Sequence, residues 1–109
     1  NAISEDGQLY NIDGNGNRVA ALVFGPKSVI VVAGMNKVTK TIEDAEARAR
    51  YIAAPINVQR FENDNPCNLT GTCSDCLKPT SICASMLRTR ISRPAGKIKV
   101  VLVGEELGF

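Results

Sequence analysis

The chain has 109 residues, 44% of them apolar, with 13 basic and 11 acidic residues for a formal net charge of +2. That length allows one domain, and that apolar content excludes the disordered class. The near-even charge balance, with no tryptophan and no basic cluster interleaved with aromatics, argues against a nucleic-acid partner. No apolar run approaches the ~20 residues of a membrane-spanning helix. There is no signal-peptide pattern either, so a cytoplasmic protein without a membrane partner is expected. The chain opens on Asn1 rather than Met and reads as a piece of something longer.

In chain order, Leu9 and Ile12 about polar Asn11 predict a strand over 8–12, and Asp13-Gly14-Asn15-Gly16-Asn17 predicts a tight turn. Helix formers over 18–24 predict a short helix stopped by Gly25-Pro26. Residues 28–33 are apolar nearly throughout, which predicts a strand covered on both faces. Ile42, Ala45, Ala49 and Ile52 fall on one stripe and predict a helix capped by Thr39 or Thr41. Asp44–Arg48 and Glu46–Arg50 are predicted i,i+4 pairs, and Pro55 is expected to interrupt that helix and open a second turn. A loop is expected over 63–84, then strands over about 86–92 and 98–103. This order predicts an α/β fold with a mainly parallel sheet and flanking helices. About four strands are expected, and the strand at 28–33 needs helices on both sides, of which the chain supplies few, so a partial domain is expected.

The strongest chemical signal is four cysteines, Cys67, Cys73, Cys76 and Cys83, spaced C-x5-C-x2-C-x6-C. Four thiolates on a short loop suffice to enclose one metal ion or iron–sulfur cluster. Cys73-Ser74-Asp75-Cys76 has the spacing of a metal knuckle, in which backbone N–H groups point at sulfur. Zinc is the preferred occupant and an iron–sulfur cluster the alternative; disulfides or free thiols form a third reading, which the sequon Asn68-Leu69-Thr70 would accompany in a secreted chain. A closed four-thiolate shell has no open position for catalysis, which makes a structural role the expectation. Histidine is absent, which removes Ser-His and Cys-His nucleophile pairs from the chain.

Three further segments are candidate ligand contacts. Asn15, Gly16, Asn17 and Arg18 lie on a glycine turn leading into a helix N-terminus, a place suited to a phosphate or carboxylate; an ordinary strand-to-helix turn is the competing reading. Asn36 and Lys37 follow the most apolar strand at its carboxyl end, where ligands of open α/β sheets gather. Glu105 follows the last strand and could reach the same edge as a general base, with a hydrogen-bonded turn as the plainer alternative.

A family likeness runs through these segments. Asn1-Ala2-Ile3-Ser4-Glu5-Asp6-Gly7, Asp13-Gly14-Asn15-Gly16-Asn17-Arg18, Phe24-Gly25-Pro26 and Val31-Val32-Ala33-Gly34-Met35-Asn36-Lys37 resemble the LUD (lactate-utilisation) domain family. Pro66-Cys67, Gly71-Thr72-Cys73-Ser74-Asp75-Cys76, Ile82-Cys83 and Val103-Gly104-Glu105-Glu106-Leu107-Gly108-Phe109 look like its uncharacterised small-protein branch. The likeness covers the C-terminal half of that family's domain. It implies a fold related to sugar-phosphate isomerases and CoA transferases (the NagB/RpiA/CoA-transferase-like group) and a loose link to lactate oxidation. Asn36-Lys37 is similar to the strand-end Ser-Lys of that wider group, whose lysine faces an anion; no motif here matches the CoA-transferase glutamate nucleophile.

Three functions follow as expectations. One is an α/β domain binding a small anion (a hydroxy acid, a sugar phosphate or an acyl-CoA), with a metal as structural support. Another is an iron–sulfur redox or sensor protein. The last is a non-catalytic subunit with a protein partner. Homo-oligomer formation and enzymatic activity are left open.

Overall fold

The computed structural model describes all 109 residues. The elements are β1 (Ala2–Ser4), β2 (Leu9–Asp13), α1 (Asn17–Val23), β3 (Val29–Gly34), a 3-10 turn (Met35–Lys37), β4 (Val38–Thr39), α2 (Ile42–Arg48), a π-helical turn (Ala49–Ala53), α3 (Ala54–Val58), α4 (Pro66–Thr70), β5 (Ser85–Thr89) and β6 (Ile98–Val103). Strands β4-β1-β2-β5 form one sheet, and β3 and β6 pair as a separate ribbon. The pairings β1–β4 and β3–β6 are parallel, whereas β1–β2 and β2–β5 are antiparallel. The α/β class holds, and the sheet is mixed. Two short strands, β1 and β4, are additions to the predicted set.

Side-chain alternation sorts β1 and β2 between two layers. Ala2, Tyr10 and Ile12 pack under the α2 side with Ile42, Ala45 and Ala49. Ile3 and Leu9 face the ribbon with Ala33, flanked by Val31 and Ile98. Helix, sheet and ribbon are therefore three stacked layers. The ribbon's outer face has no cover: Ile30 is 66% and Val32 is 62% exposed. The expectation that this strand is covered on both faces is corrected, because only the four-stranded sheet packs against it. The accessible surface is 6885 Å², about 1,000 Å² above the ~5,900 Å² usual for this mass.

Helix α2 begins with a capping box. Thr41 Oγ1 accepts from the Asp44 N–H at 3.1 Å, and the Asp44 carboxylate accepts from the Thr41 N–H at 3.2 Å. Asp44 is thereby occupied, and Arg48 does not pair with it. The Arg48 guanidinium turns inward and donates to the carbonyls of Asn36 and Asn1, each at 2.9 Å. As expected, Pro55 lies in the first turn of a second α-helical segment, α3, which the π turn joins to α2. It has no N–H for the Tyr51 carbonyl and its ring would crowd that group; the π turn over Ala49–Ala53 widens the backbone just before it, and α3 carries on. No helix is long and apolar enough to cross a membrane.

Candidate functional site

A cavity of about 540 Å³ is bounded by β1 and β2, α1, strand β3 of the ribbon and the helical run through Ala53 and Asn57. Its walls are mostly apolar and include Ile3, Leu9, Val31 and Ala33. Three cationic side chains line it, Arg18 from α1, Lys37 from the turn after β3 and Arg60 beyond α3, and no aspartate or glutamate does. The Arg18 guanidinium is braced by neutral acceptors: Asn11 Oδ1 at 2.7 Å and the Ile12 carbonyl at 2.6 Å. The Lys37 ammonium has neither an ion pair nor a hydrogen bond within the chain. Burial lowers its pKa, and the like charges of Arg48 and Arg18 lower it further. Burial also lowers that of Arg48.

Of the residues singled out in the sequence, Arg18 and Lys37 meet at this cavity; the others do not line it. The glycine turn already holds an anion of its own. Asp13, at the end of β2, accepts from the N–H groups of Gly16 (3.1 Å), Arg18 (3.0 Å) and Val19 (3.1 Å). Burial alone would raise the Asp13 pKa, but these N–H groups and the Arg18 charge hold it below the ordinary value of 3.8. The N–H groups at the start of α1 are thus taken up by an internal carboxylate, and Asn15 lines, with Arg18, a separate cavity of about 430 Å³. Gly16 takes φ 76°, a conformation that favours glycine. The Asn36 side chain pins the C-terminal segment, donating to the Gly108 carbonyl at 3.0 Å and accepting from the Leu107 N–H at 3.1 Å. Glu105 takes part through its backbone carbonyl, which accepts from the Met35 N–H at 3.1 Å. A side chain at Gly34 would collide there, its Cβ lying 2.5 Å from the Leu107 nitrogen and 2.6 Å from the Glu105 oxygen.

Cys67, Cys73, Cys76 and Cys83 line another, smaller cavity of about 40 Å³. All four thiols are free and partly buried. No three cysteine, aspartate or glutamate side chains are placed to hold a metal ion together, so the expected four-cysteine metal site is not formed by these side chains. The knuckle nonetheless has the expected backbone: the Asp75 N–H donates to Cys73 Sγ at 3.5 Å, with Asp75 at φ 55°. Burial pushes the Cys83 thiol up to about 11, and the neighbouring Cys73, Cys67 and Cys76 add to the shift. Burial likewise raises Cys67, followed by Cys76 and Cys73. The segment over 63–84 is more than a loop, because it contains α4 and a polar clamp. Asn65, 1% exposed, donates to the Thr80 carbonyl and accepts from the Thr80 hydroxyl, both at 2.8 Å. Lys78 and Asp64 pair beside it at 2.5 Å. Asn68 of the sequon is engaged inside this segment, donating to the Asn63 carbonyl at 3.0 Å.

The LUD domain family matches residues 1–103. The chain belongs to the LUD domain family. It is thereby a lactate-utilisation-associated domain. Neither a search of curated proteins nor one of solved structures found a match.

In this LUD domain, one helical run lies between the cationic and the cysteine cavities. Ala53 and Asn57 face the cationic cavity, and Arg50 and Ala54 face the cysteine cavity. Sequence reasoning missed Arg48, Asn57, Arg60 and Asn65. Arg48 reads as a solvated helix charge until the packing of Asn1 and Asn36 is known. For Asn65, its place just before Pro66 at a helix start is the one available signal.

Proposed function

We propose that this LUD domain binds a small anionic molecule in the cationic cavity, with Lys37 and Arg18 as its charge contacts and Arg48 and Arg60 in support. One observation carries the reading: three cationic side chains line a mostly apolar cavity that no aspartate or glutamate lines, and the Lys37 ammonium has no partner there. Like charges gathered in a partly dry space repel, and an anion relieves that repulsion. The apolar walls suit the carbon skeleton of a hydroxy acid or an acyl group, and a sugar phosphate is the polar alternative. No nucleophile–base pair accompanies the cations, so binding rather than a reaction is proposed. Thermal unfolding with a panel of hydroxy acids, sugar phosphates and acyl-CoAs tests it. A ligand at ten times its Kd stabilises by about 1.4 kcal/mol, several degrees in Tm for a chain of this size. Lys37→Ala and Arg18→Ala should abolish the shift. No response to any anion, or the same response in Lys37→Ala, overturns it.

The cysteine cavity supports a second element of the proposal, one metal ion held by Cys67, Cys73, Cys76 and Cys83 as structural support. What supports it is the shared cavity, the four free thiols and the N–H aimed at Cys73 Sγ. Four thiolates suit a single zinc ion, and an iron–sulfur cluster is the alternative occupant. The metal would supply cross-linking of the loop, and its ligands would lose their protons on binding. Elemental analysis of anaerobically purified protein should give one zinc per chain. A brown protein containing iron and sulfide would favour the iron–sulfur redox or sensor reading, and a metal-free, fully folded protein would overturn both.

A further inference from the structure

The cations of this chain are segregated. Between Asp75 and Glu105 there are six lysines and arginines and no acidic residue. Three of the six, Arg88, Arg90 and Arg93, line a groove of about 340 Å³ beside β5. No aspartate or glutamate lines that groove. All three arginines are exposed, and none takes part in the three ion pairs of the chain. The groove also has an apolar part, which includes Val23, 62% exposed, and Ile91, 76% exposed. Strand β5 lies at the edge of its sheet. It pairs with β2 along one side, over all five of its residues. Its other side presents backbone N–H and C=O groups with no strand to meet them.

We infer that the β5 edge takes an acidic, extended segment of another protein as an added strand, with Arg88, Arg90 and Arg93 as its charge contacts. Three features select that occupant. An open ladder pairs with another backbone, which an extended peptide supplies. The arginines carry positive charge that no carboxylate of the chain answers, so carboxylates on the incoming strand are complementary. Val23 and Ile91 give the same segment apolar surface to cover. A second copy of this chain does not suit the edge, because two-fold pairing of β5 with itself would bring both sets of arginines together. Charge on an edge strand commonly keeps like edges apart, and the same charge admits an edge of opposite sign. Single-stranded nucleic acid is also negative, but no aromatic ring lines the groove for a base to stack on.

The test uses the full chain and a labelled synthetic peptide of about eight residues, alternating glutamate and valine, read by fluorescence anisotropy. This peptide should bind, and binding should weaken as salt rises. Three other probes should bind at least about tenfold more weakly: the peptide with lysine in place of glutamate, the acidic peptide N-methylated at alternate residues, and oligothymidylate. The double variant Arg88→Glu, Arg90→Glu should lose about tenfold or more in affinity for the acidic peptide. Far-UV circular dichroism checks its fold. If it is unfolded, Arg90→Glu alone decides, because the Arg90 side chain makes no hydrogen bond or ion pair within the chain. The inference is overturned if the acidic peptide does not bind, or if any of the three other probes binds as tightly. It is also overturned if the deciding variant stays within about twofold of the wild type.

Discussion

Strand β3 is the more apolar of the two central strands, yet β2 is the more buried. The sequence Leu9-Tyr10-Asn11-Ile12-Asp13 is buried at each residue, even though it includes an amide and a carboxylate. Val29-Ile30-Val31-Val32-Ala33-Gly34 alternates between cover and solvent until its last two residues. The difference lies in the neighbours. β2 has strands on both edges, a helix on one face and the ribbon on the other. β3 has one strand partner and one covered face. Composition sets what burial would gain, and topology decides where burial occurs.

The largest effect expected from this contrast comes from truncating one residue on each strand. Ile12→Ala should cost about 2–5 kcal/mol in denaturant unfolding. Val32→Ala, on the open face, should stay within about 0.5 kcal/mol. A loss of several kcal/mol at Val32 would break the comparison by showing that the ribbon's outer face is covered in solution.

Next in size is Asp13, the polar end of the buried strand. Asp13→Ala leaves three N–H groups of the α1 start without their acceptor and should cost about 1–2 kcal/mol. Its folded pKa is depressed, so its contribution is complete above the ordinary value of 3.8 and is lost as pH falls through the folded value. Urea unfolding at steps from pH 7 to pH 3 should show a smaller acid-induced loss in Asp13→Ala than in the wild type. Equal losses would remove Asp13 from the list of acid-sensitive groups. The smallest effect concerns the layer that covers β2. Thr41→Ala breaks the capping box of α2 and should lower stability by about 1 kcal/mol, again measured in denaturant. No change would mean that tertiary packing alone holds the start of that helix.

What the sequence made legible follows the range of the forces involved. Local signals were readable: the apolar stripe of α2, Thr41 as one of two possible caps, and the run Ile98–Val103 that forms β6 in full. The cysteine spacing brought four thiols to one cavity, because a short loop leaves them little room to part. Non-local pairings were out of reach. Three-residue β1 and two-residue β4 carry no periodicity to detect. Arg48 has the look of a surface charge, and only the return of the chain past Asn36 gives it carbonyls to bind. Arg18 and Lys37 were each legible as an anion contact, but their meeting at one cavity depends on how the ribbon stacks on the sheet. The glycine turn had the outline of an anion cradle, and its own Asp13 fills it.

The π turn at Ala49–Ala53 gives this chain an unusual sensitivity to length. An α-helix advances about 100° per residue, so removing one residue from that turn would swing everything after it by more than a quarter of a circle. Asn57 and Ala53 would leave one wall while Ala54 left the other. Both compartments would be remodelled by a single-codon deletion that altered no residue charged or sulfur-bearing. Among homologues, insertions and deletions should therefore be tolerated in the outer loops and shunned across these few helical positions.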